Sequence, residues 1–223
     1  MLVKDCMTRH PIMVSSSVQA AQAQQIMAEN NVRHLPVVAD GKRLVGLVTR
    51  TRLTLQGDTL SSLNVWEISR YISELTIKDL MLKRRQIQVV APDRTIEQAA
   101  RLMTDHRVGC LPVVEDRDVV VGIITEVDVM RAFQEMMGLP IPGVRVTMRM
   151  PDRPGEFNKI MSVIAQEGWE VMGIGSFPTP RPTPRREASY DLVLKLPHLS
   201  VEEVQAALAH VADQEIVDIR SVD

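Results

Sequence analysis

The stretch Leu111-Pro-Val-Val114, followed by Gly122-Ile-Ile-Thr-Glu-Val-Asp128, decides the fold of this chain. Two short apolar runs separated by a polar turn predict a β-hairpin, and the second run continues into a helical pattern. The same arrangement occurs earlier, as Leu35-Pro-Val-Val38 and Gly46-Leu-Val-Thr49. The chain is therefore organised around a repeated strand-turn-strand-helix unit.

A shift of 76 residues aligns the two copies without a gap, because Leu35 corresponds to Leu111 and Thr49 to Thr125. Upstream, a run ending in Met7 resembles a run ending in Met81 at a shift of 74, so the second copy has two extra residues in the loop that follows. Agreement at this many positions indicates a duplication. Further matched pairs are Val14 and Val90, Met27 and Met103, Val32 and Val108, Asp40 and Asp116, and Gly46 and Gly122.

Each copy predicts the element order β-α-β-β-α. Residues 12–14 and 87–90 are predicted to form the first short strand of each copy. In the second copy, Thr95 and Gln98 form a capping-box pattern that predicts a helix start. The closing helix is predicted over residues 126–137. Neither copy can bury both faces of its sheet alone, so we expect the copies to pack sheet to sheet around a shared core.

The overall composition indicates a globular protein without a strong charge bias. The 223 residues are 45% hydrophobic, and Lys plus Arg (26) nearly balance Asp plus Glu (28), which favours neither nucleic acid nor a membrane as a partner. Cys6 and Cys110 form no metal-binding or redox pattern, and no secretory signal or membrane span stands in the sequence. We therefore expect a cytoplasmic protein.

The rest of the chain predicts a linker helix and a further domain. Residues 59–76 carry apolar side chains at helical spacing, and residues 138–143 are rich in Pro and Gly. Residues 144–223 then predict β-α-β-β-α-β, the order of a ferredoxin-like fold. Its Pro- and Arg-rich residues 178–186 are predicted to be a stiff exposed loop, with a polyproline recognition segment as the alternative. The predicted divisions are residues 1–58, 59–76, 77–137, 138–143 and 144–223.

The doubled Pro-Val-Val and Gly-x-x-Thr patterns in a β-α-β-β-α order resemble the CBS-domain family over residues 1–137. Two such copies resemble a CBS pair, or Bateman module. The resemblance implies a regulatory sensor rather than an enzyme, because members commonly bind adenosine-containing ligands in clefts between paired repeats. The expected ligand is an adenine nucleotide of the AMP, ADP or ATP type, or S-adenosylmethionine, and no catalytic cofactor is expected.

A nucleotide needs an apolar slot for its base, an acceptor for its ribose hydroxyls, and donors or cations for phosphate. Asp128 can accept from both ribose hydroxyls, and Thr125 can donate to a ligand oxygen near the helix start. In the CBS family, the residues that match these two contact the ligand. The same resemblance assigns the base slot to Ile87, Val89 and Pro112.

Arg33 and His34 are the expected cations for phosphate, because some CBS proteins use a basic pair at this place. The second copy has Gly109 and Cys110 there and cannot supply that charge. The expected site is therefore composite, with cations from the first copy and a ribose acceptor from the second. Since the first copy has Arg52 where the second has an acid, we expect its cleft to be empty or to hold a different ligand.

Purely structural roles stay open for the same residues. Asp128 at a helix start can stabilise the helix dipole without a ligand. Arg33 and His34 can be solvated cations at a helix end. The methionines expected to fill the core are Met7, Met27, Met81 and Met103.

The loop Asp152-Arg-Pro-Gly155 resembles the D-x-P-G motif of the ACT-domain family, with Phe157 where that family usually has Leu. The resemblance covers residues 144–223. It implies either amino-acid binding at Asp152, Pro154 and Gly155, where helix-start N–H groups suit a carboxylate, or subunit pairing alone. The predicted fold class is α+β: duplicated CBS repeats packed as a pair, plus a C-terminal ferredoxin-like domain of the ACT type.

The CBS-CBS-ACT order resembles acetoin-utilisation regulatory (AcuB-like) proteins, so a sensor that relays its ligand to the last domain or to a partner is expected. The alternative is a structural interaction protein whose CBS sites are vestigial. No nucleophile elbow, metal-ligand spacing or Walker loop points to an enzyme. A homodimer is expected, because CBS pairs and ACT-like domains both commonly dimerise.

Overall fold

The computed structural model describes residues 1–53, 74–139, 141–179 and 188–222. Its internal contacts divide the chain into two compact units, Met1–Met130 and Arg131–Asp223. Most of the linker helix predicted at residues 59–76 lies outside the described residues, as do residues 180–186 of the predicted Pro- and Arg-rich loop.

The helices and strands of the two copies form two similar series. The first series is α1 (Val3–Cys6), β1 (Thr8–Arg9), α2 (Ala20–Glu29), β2 (His34–Ala39), β3 (Arg43–Thr49) and α3 (Arg50–Leu53). The second is α4 (Ile77–Leu80), β4 (Leu82–Lys83), α5 (Ile96–His106), β5 (Cys110–Glu115), β6 (Val119–Thr125) and α6 (Glu126–Met136). Both predicted hairpins, β2–β3 and β5–β6, are antiparallel and turn through a short 3-10 segment.

Helix α5 begins where the sequence predicts. The backbone N–H of Gln98 donates to the Thr95 hydroxyl at 3.3 Å, and the backbone N–H of Thr95 donates to the Gln98 side chain at 3.2 Å, which confirms the capping box. One face of the helix is buried, and the helix ends at Arg107 in the left-handed conformation. The buried residues of this face are Ile96, Ala99 and Met103.

The leading segments of the two copies are exchanged. Strand β1 pairs with β6 of the second copy, where Thr8 lies opposite Ile123, and β4 pairs with β3 of the first copy, where Leu82 lies opposite Leu47. Each copy therefore completes its sheet with chain from the other. The exchange explains why the short runs ending in Met are repeated along with the hairpins.

Two glycines make room for the exchanged segments. A Cβ on Gly122 would collide with Sδ of Met7, and a Cβ on Gly46 would collide with Sδ of Met81. Each methionine side chain therefore packs against a glycine in a strand of the opposite copy. Because the interior has no spare volume for a further methyl group, both positions favour glycine.

The first short strand predicted in each copy is wrong, because only one residue of each stretch pairs. The two stretches are residues 12–14 and 87–90, and the paired residues are Val14 and Val90. The N–H of Val90 donates to the carbonyl of Pro112 at 3.2 Å, but Pro112 has no N–H with which to donate back one step earlier. Pro36 stands at the matched place in the first copy. The proline that both Leu-Pro-Val runs contain therefore stops each ladder on that side of its single bridge.

The two copies share an apolar core, as the sequence predicts. Strands β3 and β6 meet where Arg43 lies opposite Val119. Met27 and Met103 are 1% and 5% exposed, which confirms their predicted role as core residues. The buried residues of the shared cluster are Leu44, Leu47, Ile87, Cys110, Val114, Val120 and Ile123.

Among the described residues from 143 onward, a four-stranded antiparallel sheet packs with two helices. The elements are β7 (Gly143–Pro151), α7 (Glu156–Gln166), β8 (Gly173–Pro178), β9 (Ser189–Pro197), α8 (Val201–Leu208) and β10 (Glu215–Val222). The strand order is β10-β7-β9-β8, and the element order is the predicted β-α-β-β-α-β. Alternate residues of β7 and β9 are buried in a core with both helices, including Val146, Met148, Ile160, Leu194 and Val204. The chain is thus α+β, with a second sheet after the duplicated pair.

Candidate functional site

The hairpin β5–β6 delivers Thr125 and Asp128 to one place. Thr125 is the last residue of β6, and Asp128 lies in the first turn of α6. The backbone N–H and the hydroxyl of Thr125 donate to Oδ2 of Asp128 at 2.8 and 2.7 Å. The N–H of Asp128 is 3.4 Å from the Thr125 hydroxyl oxygen. The predicted pair is thus held together as a capping box at the helix start.

This geometry changes the role open to Thr125. Its hydroxyl proton is directed at Asp128, so toward a ligand this oxygen is an acceptor rather than the predicted donor. The pair also occurs elsewhere: Thr76 donates to Oδ2 of Asp79 at 3.0 Å through its N–H and at 2.7 Å through its hydroxyl. Capping alone is therefore enough to produce the observed arrangement.

In the structure, His34 of the first copy interacts electrostatically with a residue of the second copy. Burial lowers the pKa of His34, the charge of Arg33 lowers it further, and Glu126 at the start of α6 raises it. His34 is partly buried opposite Thr49, whereas Arg33 is exposed. The charges of His34 and Glu126, which belong to different copies, therefore act on each other.

Glu126 is a residue that the sequence prediction missed. Its backbone N–H donates to the carbonyl of Gly109 at 3.2 Å, and its Oε2 lies 3.4 Å from where a Cβ on Gly109 would be. Burial and the charge of Glu126 raise the pKa of Cys110 to about 12. The absence of a side chain at Gly109, where the first copy has Arg33, leaves room for this carboxylate.

A comparison of the two copies could have identified Glu126 from the sequence. A shift of 76 pairs Glu126 with Arg50 and Asp128 with Arg52, so two acids at one helix start match two cations at the other. Arg52 donates from Nη1 to the carbonyl of Leu80 at 3.5 Å. The first copy is therefore basic where the second is acidic, and the two helix starts differ in charge as well as in sequence.

The predicted base-slot residues lie together, but they are not equally available. The carbonyl of Pro112 accepts from the N–H of Val90, which places Val89 beside the buried proline. Ile87 is 7% exposed and belongs to the core cluster shared by both copies. Val89 is partly buried against the same cluster and keeps more accessible surface.

The D-x-P-G loop of the second unit is exposed at Asp152, Pro154 and Gly155, and Gly155 has a φ of 90°. The loop is anchored by its neighbour Glu156, which accepts from Lys159 at 3.0 Å and whose pKa is lowered by hydrogen bonds from Gln214 and Lys159. The predicted residues are therefore accessible on a fixed support.

Two further properties concern the described part of the chain. Within residues 1–53, 74–139, 141–179 and 188–222, no three His, Cys, Asp or Glu side chains are arranged to hold a metal ion. None of the helices described in those ranges combines the length and the apolar character that crossing a bilayer requires.

The CBS domain family matches the chain at residues 3–55 and 77–135, in agreement with the exchanged, paired geometry. The matches span 53 and 59 residues, half of the 223-residue chain. The chain therefore belongs to the CBS domain family and carries the domain as a tandem pair. CBS-pair proteins are generally regulatory.

Solved structures are similar to the same part of the chain. A Vibrio cholerae protein provisionally named acetoin utilization protein (AcuB) is 31% identical, over 63% of this chain and 95% of that chain, with a TM-score of 0.52. The CBS domain pair of protein MJ0100, solved in complex with 5'-methylthioadenosine and S-adenosyl-L-methionine, is 28% identical over 60% of this chain and 95% of that chain, with a TM-score of 0.49. Those ligands are the ligands of that protein.

Curated relatives match the same region. The L-aspartate semialdehyde sulfurtransferase of Methanocaldococcus jannaschii is 29% identical over 134 residues, which are 59% of this chain and 23% of that protein. The matched part is between 22% and 24% of the length of this and similar relatives. Their enzyme names therefore describe proteins that are much longer than the shared CBS pair.

Proposed function

We propose that this chain is a non-catalytic regulatory sensor. Its CBS pair binds one adenosine-containing ligand and relays the ligand's presence to the C-terminal unit or to a partner. The observation that carries the proposal is that matched positions of the two copies have opposite charges, acidic in the second copy and basic in the first. Membership of the CBS family supports the proposal, because CBS pairs commonly bind adenosine-containing ligands.

The ribose is assigned to the second copy. Asp128 is only partly buried, and a carboxylate at a helix start can accept from two neighbouring hydroxyls. Its orientation is set by Thr125, at 2.7 Å from the hydroxyl, so ribose binding needs no rearrangement of a mobile side chain. The helix start adds backbone N–H groups that favour anionic or hydroxyl oxygens.

The phosphate is assigned to the first copy. Arg33 is exposed, and His34 is partly buried at the start of β2. A phosphate between the copies would gain a permanent cation from Arg33 and a titratable one from His34. The base is assigned to the apolar side chain of Val89, which is partly buried, with the buried Pro112 and Ile87 behind it.

We also propose that the chain forms a homodimer. Helix α6 exposes large apolar side chains, with Val127 at 64%, Met130 at 58% and Phe133 at 54% exposure. Such a stripe on a helix normally buries itself against another surface, and a second copy of the same stripe is a matching one. Amino-acid binding at the D-x-P-G loop stays a separate prediction.

A second candidate function is a structural interaction protein with vestigial sites. The observation that favours it is the capping box, because the Thr76–Asp79 pair has the same geometry at another helix start. In this case Asp128 would stabilise α6 and nothing more. The exposed stripe of α6 would then be the main functional surface.

A ligand panel separates the two candidates. The thermal unfolding of the full chain is followed with AMP, ADP, ATP, S-adenosylmethionine and NAD, and with GMP as the matched control for the base. The sensor predicts stabilisation by at least one adenosine compound, of about 2.7 kcal/mol at 100 times its dissociation constant. Absence of stabilisation by every member, in a chain that still dimerises, would favour the structural function.

A further inference from the structure

A groove of about 690 Å³ lies in the first unit, far from the helix start that carries Asp128. Four cations line it: Arg43, Lys83, Arg84 and Arg85. Its lining residue Asp118 directly precedes β6, whereas Thr125 ends that strand. At about 3.3 Å per residue, the strand separates the two places by roughly 20 Å.

The carboxylate of the groove is already engaged. Arg84 donates from Nε and Nη2 to the two oxygens of Asp118, at 2.9 and 2.7 Å. This bond lowers the pKa of Asp118, and the charge of Arg43 contributes to the same shift. Asp118 is the acidic residue among the described residues that line the groove, so one carboxylate stands among four cations and the lining keeps an excess of positive charge.

The stretch that contains the two extra residues of the second copy supplies three of the four cations that line the groove. This stretch follows Met81, and within it residues Arg84–Gln86 form a 3-10 turn. The turn is fixed because the N–H of Lys83 donates to the Gln86 side chain at 2.9 Å. Arg84 also donates from Nη1 to the carbonyl of Ile87 at 3.3 Å. Arg84 and Arg85 therefore lie on a turn that hydrogen bonds hold in place.

The groove also has an apolar floor. Leu44 is 2% exposed, and Val45 and Met81 are partly buried beside it. Several cations around an apolar floor fit a compact anion with several charges, because an excess of one sign of charge raises the local concentration of the opposite ion. Guanidinium groups donate in pairs to phosphate oxygens, and pyrophosphate brings more negative charge into a small volume than a single carboxylate does.

We propose that this groove is a second ligand site, which takes a small phosphate polyanion of the pyrophosphate class. Arg43 and Arg85 bind the phosphate oxygens directly. Arg84 is the positioning residue, because its bond to Asp118 holds the turn against β6. The site goes beyond the proposed nucleotide cleft and does not depend on it.

Calorimetric titration of the full chain with inorganic pyrophosphate tests the proposal. The wild type is expected to bind one pyrophosphate per chain. The double variant Arg43→Gln/Arg85→Gln should bind about tenfold more weakly or worse, whereas Arg9→Gln/Lys42→Gln should stay within about twofold. The second pair removes the same charge at positions that belong to the matched face of the other copy. A single Lys83→Gln variant serves if the first pair unfolds the protein, as judged by its thermal midpoint, and should weaken binding severalfold.

Three results would overturn the proposal. They are no pyrophosphate binding by the wild type, equal weakening by both charge-matched double variants, and loss of pyrophosphate binding in Asp128→Ala. The last result would move the anion to the nucleotide cleft. Conversely, an Asp128→Ala variant that still binds pyrophosphate but no longer binds AMP supports two separate sites. Pyrophosphate binding by a wild type that does not bind AMP would support the groove and contradict only the proposed nucleotide site.

Discussion

Asp128 has one geometry and two explanations. Its carboxylate accepts from Thr125 at 2.8 and 2.7 Å, which serves equally to cap α6 and to present oxygens to a ribose. The same box at Asp79 shows what capping looks like on its own. The two acids are therefore a matched pair for separating the structural contribution from the functional one.

Asp128→Ala and Asp79→Ala are both expected to lower the free energy of unfolding by about 1 kcal/mol, because each removes one half of a capping box. Only Asp128→Ala is expected to abolish adenosine-ligand binding. Chemical denaturation and calorimetry of the two variants measure both effects. Equal ligand affinity in the two variants would assign Asp128 to capping alone.

His34 predicts a pH dependence of phosphate binding. Burial and Arg33 lower its pKa from 6.5, so the imidazole of the free protein is neutral at pH 7. A bound phosphate favours the imidazolium, so binding takes up a proton and the affinity rises as the pH falls from about 8 toward about 6. Without ligand the sign for stability is opposite: the unfolded chain binds the proton more readily, so stability falls as the pH drops below 6.5.

The comparison of His34→Gln with His106→Gln checks this dependence. Calorimetry in two buffers of different ionisation enthalpy is expected to show proton uptake in the wild type and in the exposed His106 variant. Loss of uptake in His34→Gln identifies the titrating group. Uptake that persists in His34→Gln would place the phosphate away from this imidazole.

At the residue scale, the sequence singled out Thr125 and Asp128 as ligand residues, but it did not predict the hydrogen bonds between them and it missed Glu126. The pair follows a recognisable spacing, whereas Glu126 acquires its role from a partner in another copy. Its influence on His34 and Cys110 depends on how two strands come together in space. Comparing matched charges between the copies is the step that would have revealed it.

At the scale of elements, the exchanged leading segments make the two copies depend on each other. Met7 covers Gly122 and Met81 covers Gly46, so each sheet is completed by the other copy. Cooperative unfolding of the pair is the physical consequence. A defect at either glycine should therefore destabilise both copies.

Gly122→Ala is expected to destabilise the pair by about 1–3 kcal/mol, because its methyl group would overlap Met7 and the carbonyl of Thr8. The matched control is Gly109→Ala, whose methyl group would be 3.4 Å from Glu126. Denaturant unfolding measures both. A Gly122→Ala protein as stable as the control would contradict the tight contact of the exchanged segment.

The exposed face of α6 predicts the oligomeric state. Phe133→Ser should shift the chain from dimer toward monomer, because Phe133 is 54% exposed on the proposed interface. Glu135→Ser on the same helix is the control for loss of a side chain. Analytical ultracentrifugation distinguishes the states, and a dimer of unchanged affinity in Phe133→Ser would exclude this face.

The element order could be predicted because periodicity, turns and caps are local. The hairpins, α5 and the β-α-β-β-α-β order of the second unit all follow such signals. The short strands at residues 12–14 and 87–90 could not, because their ladders stop at a proline in a neighbouring strand. The exchange of β1 and β4 is equally non-local, since either copy could have kept its own segment.

At the scale of the whole molecule, the two copies of the repeat differ in charge at their matched helix starts. The second copy has Glu126 and Asp128 at the start of α6, and the first copy has Arg50 and Arg52 at the matched places. Cations repel the partial positive charge of a helix start and offer no acceptor to a ribose. The chain should therefore hold one adenosine ligand, although it has two copies of the fold.

The stoichiometry of adenosine-ligand binding tests this central claim most directly. Calorimetric titration of the full chain, with the compound that stabilises it best, is expected to give one ligand per chain in the wild type and none in Asp128→Ala. The Asp79→Ala control should retain one. Two equivalent ligands per chain, or one ligand that persists in Asp128→Ala, would contradict the assignment of the competent cleft to the second copy.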